Sequence, residues 1–256
     1  MASNDSTSKT IIVALALCIV CSVIVSTAAV MLRPAQQANK DLDRKTNILA
    51  AAGMLQEGVS VEEQFSSIST RAVDMATGKF TDAVDVVTYN QRKAAKNPAM
   101  SNDLGDADLA KIGRLAKYMV VYVVEGDAGI EKIILPIKGY GLWSTLYGFV
   151  ALESDLNTVA GLGFYEHAET PGLGGEVDNP AWKAKWVGKQ SYDAENQQAL
   201  TVIKGTVDSS RPEAVHQIDG LSGATLTSRG VDNLIKFWMG EQGFAPFLAN
   251  LRAGDA

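Results

Sequence analysis

Cysteine and histidine are nearly absent from this chain, with two of each in 256 residues. Both cysteines, Cys18 and Cys21, fall in one apolar run, so positions 33–256 contain none. That scarcity excludes a zinc or iron–sulfur centre built by this chain alone, and it excludes a disulfide framework. A basic field is also lacking: 23 Lys and Arg face 29 Asp and Glu, a formal net charge of −6, which excludes nucleic acid as a partner. No G-x-x-x-x-G-K-[ST] loop occurs, and Gly161-Leu162-Gly163 lacks the third glycine and the following helix of a dinucleotide fingerprint. There is no internal repeat and no regular β-α-β alternation, which excludes a doubly wound sheet. Disorder is excluded for most of the chain by its 46% hydrophobic content.

What the chain does have is a strongly uneven distribution of apolar residues. Positions 10–32, between Lys9 and Arg33, carry no formal charge and are rich in Ile, Val, Leu and Ala. As a helix rising about 1.5 Å per residue they reach about 35 Å, enough for a hydrocarbon core of about 30 Å. A secretory signal is the competing reading, and Ser26-Thr27-Ala28-Ala29 imitates a cleavage site, but the apolar core of such signals is usually about 7–15 residues. An uncleaved anchor is expected. The division is therefore a short N-terminal tail (1–9), a transmembrane helix (10–32), a juxtamembrane linker or helix leaving the bilayer (33–45), and one soluble domain (46–256). Flanking charge leaves orientation open: Arg33, Lys40, Arg44 and Lys45 taken literally place the domain in the cytoplasm, yet Asp41 and Asp43 lie among them and a long domain can be translocated regardless. Cys18 and Cys21 share a helix face; two small apolar side chains in lipid or helix contacts account for them, with contact to a partner's metal site as the alternative.

The soluble part reads as α+β. Positions 47–56 look helical, and Ser60-Val61-Glu62-Glu63 has capping-box spacing, predicting a helix to about Ala76. Strands are expected at 83–89, 118–125, 130–137, 147–152, 159–166 and 199–204, separated by turn residues. Positions 125–129 form a hairpin turn by composition, and Pro136 suggests a strand end or edge. Positions 90–110 read as an excursion between strands. Pro180 opens a short helix with Trp182 and Trp186 on one face, for which core packing is the default and flavin stacking the second reading. From Thr227 onward the pattern is helical, with a break near Gly243. A mainly antiparallel sheet with flanking helices follows.

Three glycine-containing clusters stand out: Gly139-Tyr140-Gly141-Leu142-Trp143-Ser144, Glu169-Thr170-Pro171-Gly172-Leu173-Gly174-Gly175-Glu176, and Asp219-Gly220-Leu221-Ser222-Gly223-Ala224-Thr225. Each alone fits an ordinary turn. The third immediately precedes a helical run, and a helix start presents unpaired N–H groups and the positive end of a dipole, an anion site that Gly223 and Ala224 allow a phosphate to approach. The simpler reading makes Ser222 or Thr225 the N-cap.

Asp219-x-x-Ser222-Gly223-Ala224-Thr225 resembles the flavinylation motif of the FMN-binding domain family. The other two clusters resemble the loops around the flavin in two members of that family, the C subunit of the Na+-translocating NADH:quinone reductase and the G subunit of the Rnf complex. The motifs run from Gly139 to about Val231, the single anchor extends the likeness along the chain, and the length favours the former over the shorter Rnf protein. The resemblance implies FMN joined to Thr225 as a phosphodiester by a flavin transferase, with Asp219 serving recognition by that enzyme and Ser222, Gly223 and Ala224 shaping the loop. It implies a flavin pocket drawn from Trp143, Ser144, Glu169, Thr170, Leu173, Gly174 and Lys204. Leu173 and Trp143 suit a flavin face, backbone near Gly172 and Gly174 suits ring polar atoms, and Lys204 or the helix start suits the phosphate.

The role implied is that of an electron carrier with no catalytic residue, NADH site or quinone site of its own. Electrons from NADH pass through FAD and iron–sulfur centres to this FMN, then to a second covalent FMN, riboflavin and ubiquinone, coupled to sodium export. Partners are the other subunits, the transferase and the membrane. Because the family's transferase works outside the cytoplasm, the domain is expected in the periplasm, anchored in a bacterial inner membrane, against the literal charge count. A serine-hydrolase alternative using Ser222, His216 and Asp219 fails to match G-x-S-x-G, and residues so close in sequence rarely supply a triad.

Overall fold

The computed structural model of the chain describes residues 6–127 and 129–256. Positions 1–5 of the expected tail and Ala128 of the expected 125–129 turn lie outside the described residues. The chain divides into two units between Arg44 and Lys45. Helix α1, Thr7–Ala51, contains the uncharged run and is long and apolar enough to cross a membrane. It continues through 33–45 as helix, Pro34 included, and into the second unit. It stops at Ala51, short of the expected 56, where Gly53 takes a φ of +67°.

The second unit is built on a six-stranded sheet in the order β2-β1-β5-β6-β7-β8, every neighbouring pair antiparallel. Its strands are β1 Ile68–Asp74, β2 Lys79–Thr81, β5 Tyr118–Gly126, β6 Gly129–Tyr140, β7 Thr145–Glu153 and β8 Val159–Glu166. Two small pairs lie outside it: β3 Ser101–Asp103 with β4 Arg114–Ala116, antiparallel, and β9 Thr201–Val202 with β10 Gln217–Ile218, parallel. The helices are α2 Val61–Phe65, α3 Gln91–Ala94, α4 Pro180–Lys183, α5 Thr225–Trp238 and α6 Ala245–Ala253.

Both faces of the sheet are covered, which is why its central strands read as near-continuous apolar runs. Val121 and Val123 of β5 with Ile133, Leu135 and Ile137 of β6 face one core, filled by Val231, Leu234, Ile235 and Trp238 of α5, Phe247 and Leu248 of α6, and the Trp182–Trp186 pair. That pair meets edge to face with ring centres 5.4 Å apart, as core packing rather than an exposed stacking platform. Val120, Tyr122 and Val124 of β5 and Ile134 of β6 face the opposite way, onto Ile48, Leu49 and Ala51 at the end of α1. A Cβ on Gly161 would lie 2.4 Å from the Ala51 carbonyl oxygen, so the contact needs a glycine. Helix α5 is tied to the sheet by the Trp238 indole N–H, which donates to the Lys138 carbonyl at 2.7 Å.

Several expectations are corrected. Ser60 is the expected N-cap, with the Glu63 N–H donating to Ser60 Oγ at 3.2 Å, but among the described residues no bond returns from the Glu63 carboxylate, α2 lasts five residues and Ile68-Ser69-Thr70-Arg71-Ala72-Val73 becomes β1. A cap fixes where a helix starts, and the β-branched residues beyond it set where it ends. Positions 83–89 are turns, because the Asp85 carboxylate accepts from the Val87 N–H and the Thr88 hydroxyl. The strand at 199–204 shrinks to Thr201–Val202. Pro136 sits inside β6 opposite Phe149, not at its end; the β5 partners of β6 stop at Tyr122↔Ile134, so the missing N–H falls where no ladder partner is required. The break after α5 is at Met239–Phe244, where a Cβ on Gly243 would lie 2.4 Å from the Trp238 carbonyl oxygen.

Candidate functional site

The third glycine cluster is the loop that delivers the chain into α5. The residue before the helix is Ala224, at φ −125° and ψ 51°, and no side chain caps the helix. Neither Ser222 nor Thr225 is therefore the N-cap. Ser228 holds the loop instead: its hydroxyl accepts from the Leu221 N–H at 2.8 Å and donates to the Ala224 carbonyl at 3.1 Å. Gly223 takes a φ of +73°, the left-handed region where glycine is favoured. Leu221 and Ala224 turn into the core, while Ser222, Gly223, Thr225 and Leu226 are exposed. Among the described residues no protein group accepts from the N–H of Thr225, Leu226 or Thr227. The start of this 14-residue helix thus offers unpaired donors beside an exposed threonine hydroxyl.

The first two clusters meet this helix through one carboxylate. Glu169 is 5% exposed. Its Oε1 accepts from the N–H groups of Leu142, Trp143 and Ser144 at 3.0, 3.0 and 3.3 Å, and its Oε2 accepts from the Thr227 hydroxyl at 2.7 Å. Ser144 Oγ in turn accepts from the Ala168 N–H at 2.7 Å. Burial alone raises the Glu169 carboxyl, but the Thr227 hydroxyl and the three amides outweigh it and hold the group below its ordinary range. The sequence likeness gives Glu169 to the flavin pocket; in the structure its side chain is occupied within the protein, clasping the 141–144 loop to the first turn of α5.

Glycines line this clasp because there is no room for more. A Cβ on Gly141 would lie 2.6 Å from Glu169 Oε1, and one on Gly174 would lie 2.5 Å from Thr227 Oγ1 and 2.6 Å from Glu169 Oε2. Gly230 of α5 passes equally close to the Tyr140 carbonyl oxygen, at 2.5 Å from its ideal Cβ. A Cβ on Gly172, by contrast, would meet nothing within 4 Å, and this residue has a φ of +74°. The segment from 169 to 175 closes on itself through the Thr170 carbonyl, which accepts from the Leu173 and Gly175 N–H groups at 3.1 and 2.9 Å. His167 anchors its start: Nδ1 accepts from the Glu169 N–H at 3.2 Å, which places the ring proton on Nε2, donating to Asp178 at 2.7 Å.

The segments that meet at Glu169 each carry an exposed apolar side chain: Trp143 at 65%, Leu173 at 45% and Leu226 at 54% exposed. Leu173 reaches the third cluster, its Cδ2 lying 3.1 Å from where a Gly223 Cβ would be. Trp143, Ser144, Glu169, Thr170, Leu173 and Gly174 are thus brought together with Gly223, Thr225 and Thr227. Two predicted residues lie differently. Lys204 is exposed on the loop after β9, near this region only through Gly220, which packs on the backbone of Ile203 and Gly205. The Asp219 carboxylate accepts from Lys185 and from the Val207 N–H at 2.7 Å, and these partners overcome burial to lower its pKa. It braces the loop from inside.

Thr227, Ser228 and Gly230 were not singled out by sequence. Their signal is that two hydroxyls and a glycine fall on the face of α5 that continues as Val231, Leu234 and Ile235. The hydrolase arrangement is not formed: His216 Nδ1 meets the Gln190 carbonyl at 2.9 Å, Asp219 is engaged as above, and no hydrogen bond joins either to Ser222 among the described residues.

Residues 141–240, which span all three meeting segments, match the family described as FMN-binding domain. The C subunit of the Na(+)-translocating NADH-quinone reductase of Pseudomonas aeruginosa is 56% identical over 261 residues, covering 100% of both chains. Its counterpart in Vibrio vulnificus is 52% identical over 256 residues, 99% of each. Among solved structures, NqrC of Shewanella oneidensis matches with a TM-score of 0.77 at 36% identity, covering 84% of this chain and 99% of that one. The C subunit from Parabacteroides distasonis matches with a TM-score of 0.64 at 27% identity, covering 85% and 96%.

Proposed function

The chain belongs to the family of Na(+)-translocating NADH-quinone reductase C subunits, and from that membership we propose that it carries electrons within the complex through an FMN attached to Thr225 by a phosphodiester. It is one subunit of an oxidoreductase complex and contains an FMN-binding domain. The observation that carries the attachment site is the uncapped start of α5, where an exposed Thr225 hydroxyl stands beside N–H groups that, among the described residues, no protein atom accepts from. A phosphodiester there keeps one negative charge, which those donors and the helix dipole favour.

The residues present fit a flavin. Gly223 leaves backbone room beside the attachment point, and Trp143, Leu173 and Leu226 supply exposed apolar surface for a planar ring system. When bound, FMN supplies the redox chemistry that no side chain here offers. The chain's own residues bind and orient: Ser228 fixes the loop, Glu169 and Thr227 fix the segments carrying Trp143 and Leu173, and Asp219 with Lys185 braces the segment before the loop. Lys204 belongs to the phosphate side through its charge. Ser222, Gly223 and Ala224 form the part of the loop that enters the flavin transferase during maturation, with Asp219 aiding its recognition.

The remaining assignments complete this reading. Positions 10–32 anchor the chain once in the bacterial inner membrane, after a tail at 1–9, and 33–45 join them to a periplasmic domain at 46–256. The other subunits of the complex are its electron-transfer partners. A role like that of the Rnf complex's G subunit is the second reading, but the end-to-end identity with C subunits favours the first.

Co-expression with the flavin transferase followed by a denaturing gel tests the attachment. Flavin fluorescence is expected to travel with the wild-type band and to vanish in Thr225→Val. Persistence in the variant would remove Thr225 as the attachment residue, and absence from both proteins would favour a purely structural domain.

A further inference from the structure

From β6, Lys138 reaches an open cleft of about 330 Å³ that is also lined from α3, β4 and β7. Arg92, Lys96, Arg114, Lys138 and Tyr147 line it. It continues into a smaller apolar recess formed by Met119, Pro136, Ala116 and Tyr165. Cations crowd this place although the chain as a whole is acidic.

The nearby carboxylates already have partners. Glu166 takes both terminal nitrogens of Arg92 at 2.7 and 2.8 Å, while the guanidinium stacks 3.6 Å above the Tyr147 ring. Asp103 takes Arg114 at 3.0 Å. Asp108 gives its two oxygens to the Ile112 and Gly113 N–H groups at 2.9 and 2.6 Å. Lys138 and Lys96 are left with no hydrogen bond or ion pair to their ammonium groups among the described residues. Lys138 is the costlier of the two: burial lowers its pKa, Asp108 partly offsets this, and Arg92 and Lys96 push the same way as burial. Four cations thus adjoin three carboxylates, with one positive charge in excess and one ammonium partly withdrawn from water. A single bound anion would balance the group, and the open cleft has room for its carbon body beside the apolar surface of Met119, Ala116 and Pro136.

We propose that this cleft is a binding site for a small amphipathic anion, a carboxylate or phosphate monoester on a compact apolar body. Lys138 Nζ is the direct partner of its oxygens, Lys96 stands at the rim, and the open cleft holds the apolar part against the surface of Met119 and Pro136. Arg92, fixed by Glu166 and Tyr147, forms a rigid wall. The site does not depend on the flavin reading, because none of Trp143, Ser144, Glu169, Thr170, Leu173, Gly174 or Thr225 lines the cleft or its recess.

The test is calorimetric titration of the full chain in detergent at constant ionic strength, with phenyl phosphate and inorganic phosphate as probes. Phenyl phosphate is expected to bind saturably and more tightly than inorganic phosphate. Lys138→Met is expected to weaken it by about tenfold or more, with Lys138→Arg recovering part of the loss. Without any anion, Lys138→Met is expected to melt no lower than the wild type, since it removes an unpartnered ammonium; a residue kept only for the fold would lower the melting point. Should the methionine variant not accumulate, amine labelling of the wild type reads the same contact, with phenyl phosphate protecting Lys138 selectively. Absence of saturable binding, equal binding by wild type and Lys138→Met, or labelling of Lys138 unchanged by the probe each overturns the site.

Discussion

Glu169 illustrates how one buried charge can organise a site without meeting its ligand. Two oxygens satisfy three backbone amides and one hydroxyl drawn from separate segments. Hydrogen bonds to a charged acceptor contribute about 1.5–3 kcal/mol, so Glu169→Gln is expected to lower unfolding free energy by about 2 kcal/mol at pH 7, keeping the geometry but losing the charge. The native pKa lies below its ordinary value of 4.5. The stabilisation is therefore complete above the unfolded-state pKa and is lost as pH falls through the native one, so the gap between the wild type and Glu169→Gln should narrow as pH falls below the ordinary carboxyl range. Denaturant unfolding of both proteins at pH 7 and at pH 3.5 checks this. A gap that stays constant across that range would mean that the carboxylate charge is not what closes the clasp. At this scale the sequence was a partial guide: it pointed to the residue, because a glutamate opening a Thr-Pro-Gly-Leu-Gly turn is conspicuous, but not to its partners. Those lie 25 to 58 positions away in the chain, and only the fold brings them together.

At the scale of elements, the packing of α5 on β6 joins large core side chains to a seam of glycines where the two elements approach closely. Gly230 meets Tyr140 and Gly141 backbone, and Gly139 meets Leu234 with its ideal Cβ 2.7 Å from the Leu234 Cβ. A methyl at 230 has only backbone to displace, so Gly230→Ala is expected to cost about 1–3 kcal/mol by prising the helix from the sheet. Because α5 presents Thr225 while β6 leads into the Trp143 loop, the same change should reduce flavin retained on the denaturing gel more than stability alone explains. Gly172→Ala, with open space around it and only a positive φ to strain, is the comparison. Equal behaviour of the two variants in unfolding and in flavin content would refute the seam. The central strands from β5 to β8 were legible because their apolar runs end at turn residues. β1 was hidden behind a correctly placed N-cap at Ser60, and the glycines of the clusters read as sites of flavin approach when several are sites where two protein segments touch.

For the molecule as a whole, the sheet's second face decides where the domain begins. Ile48 and Leu49 are fully buried against β5 and β6 although they belong to the helix that contains the uncharged run. Burying each contributes about 1.5–3 kcal/mol. A fragment covering 45–256 should be soluble without detergent and should unfold in one cooperative step, since its two cores and all six sheet strands are retained. A fragment covering 53–256 removes the cover from Ile134, Phe149 and Ala151 and should lose about 3–6 kcal/mol, together with a tendency to associate through the bared face. Sequence expects the domain from 46 and reads 33–45 as a linker or a helix leaving the bilayer; it does not foresee that Ile48 and Leu49 pack on the sheet, because hydropathy marks where an apolar run ends and is silent on which later turns pack against a sheet. Urea midpoints and sedimentation of the two fragments separate the cases. If 53–256 unfolds at the same urea concentration as 45–256 and remains monomeric, the last turn of α1 contributes nothing to the fold, and the burial of Ile48 and Leu49 would be a consequence of the domain's stability rather than part of its cause.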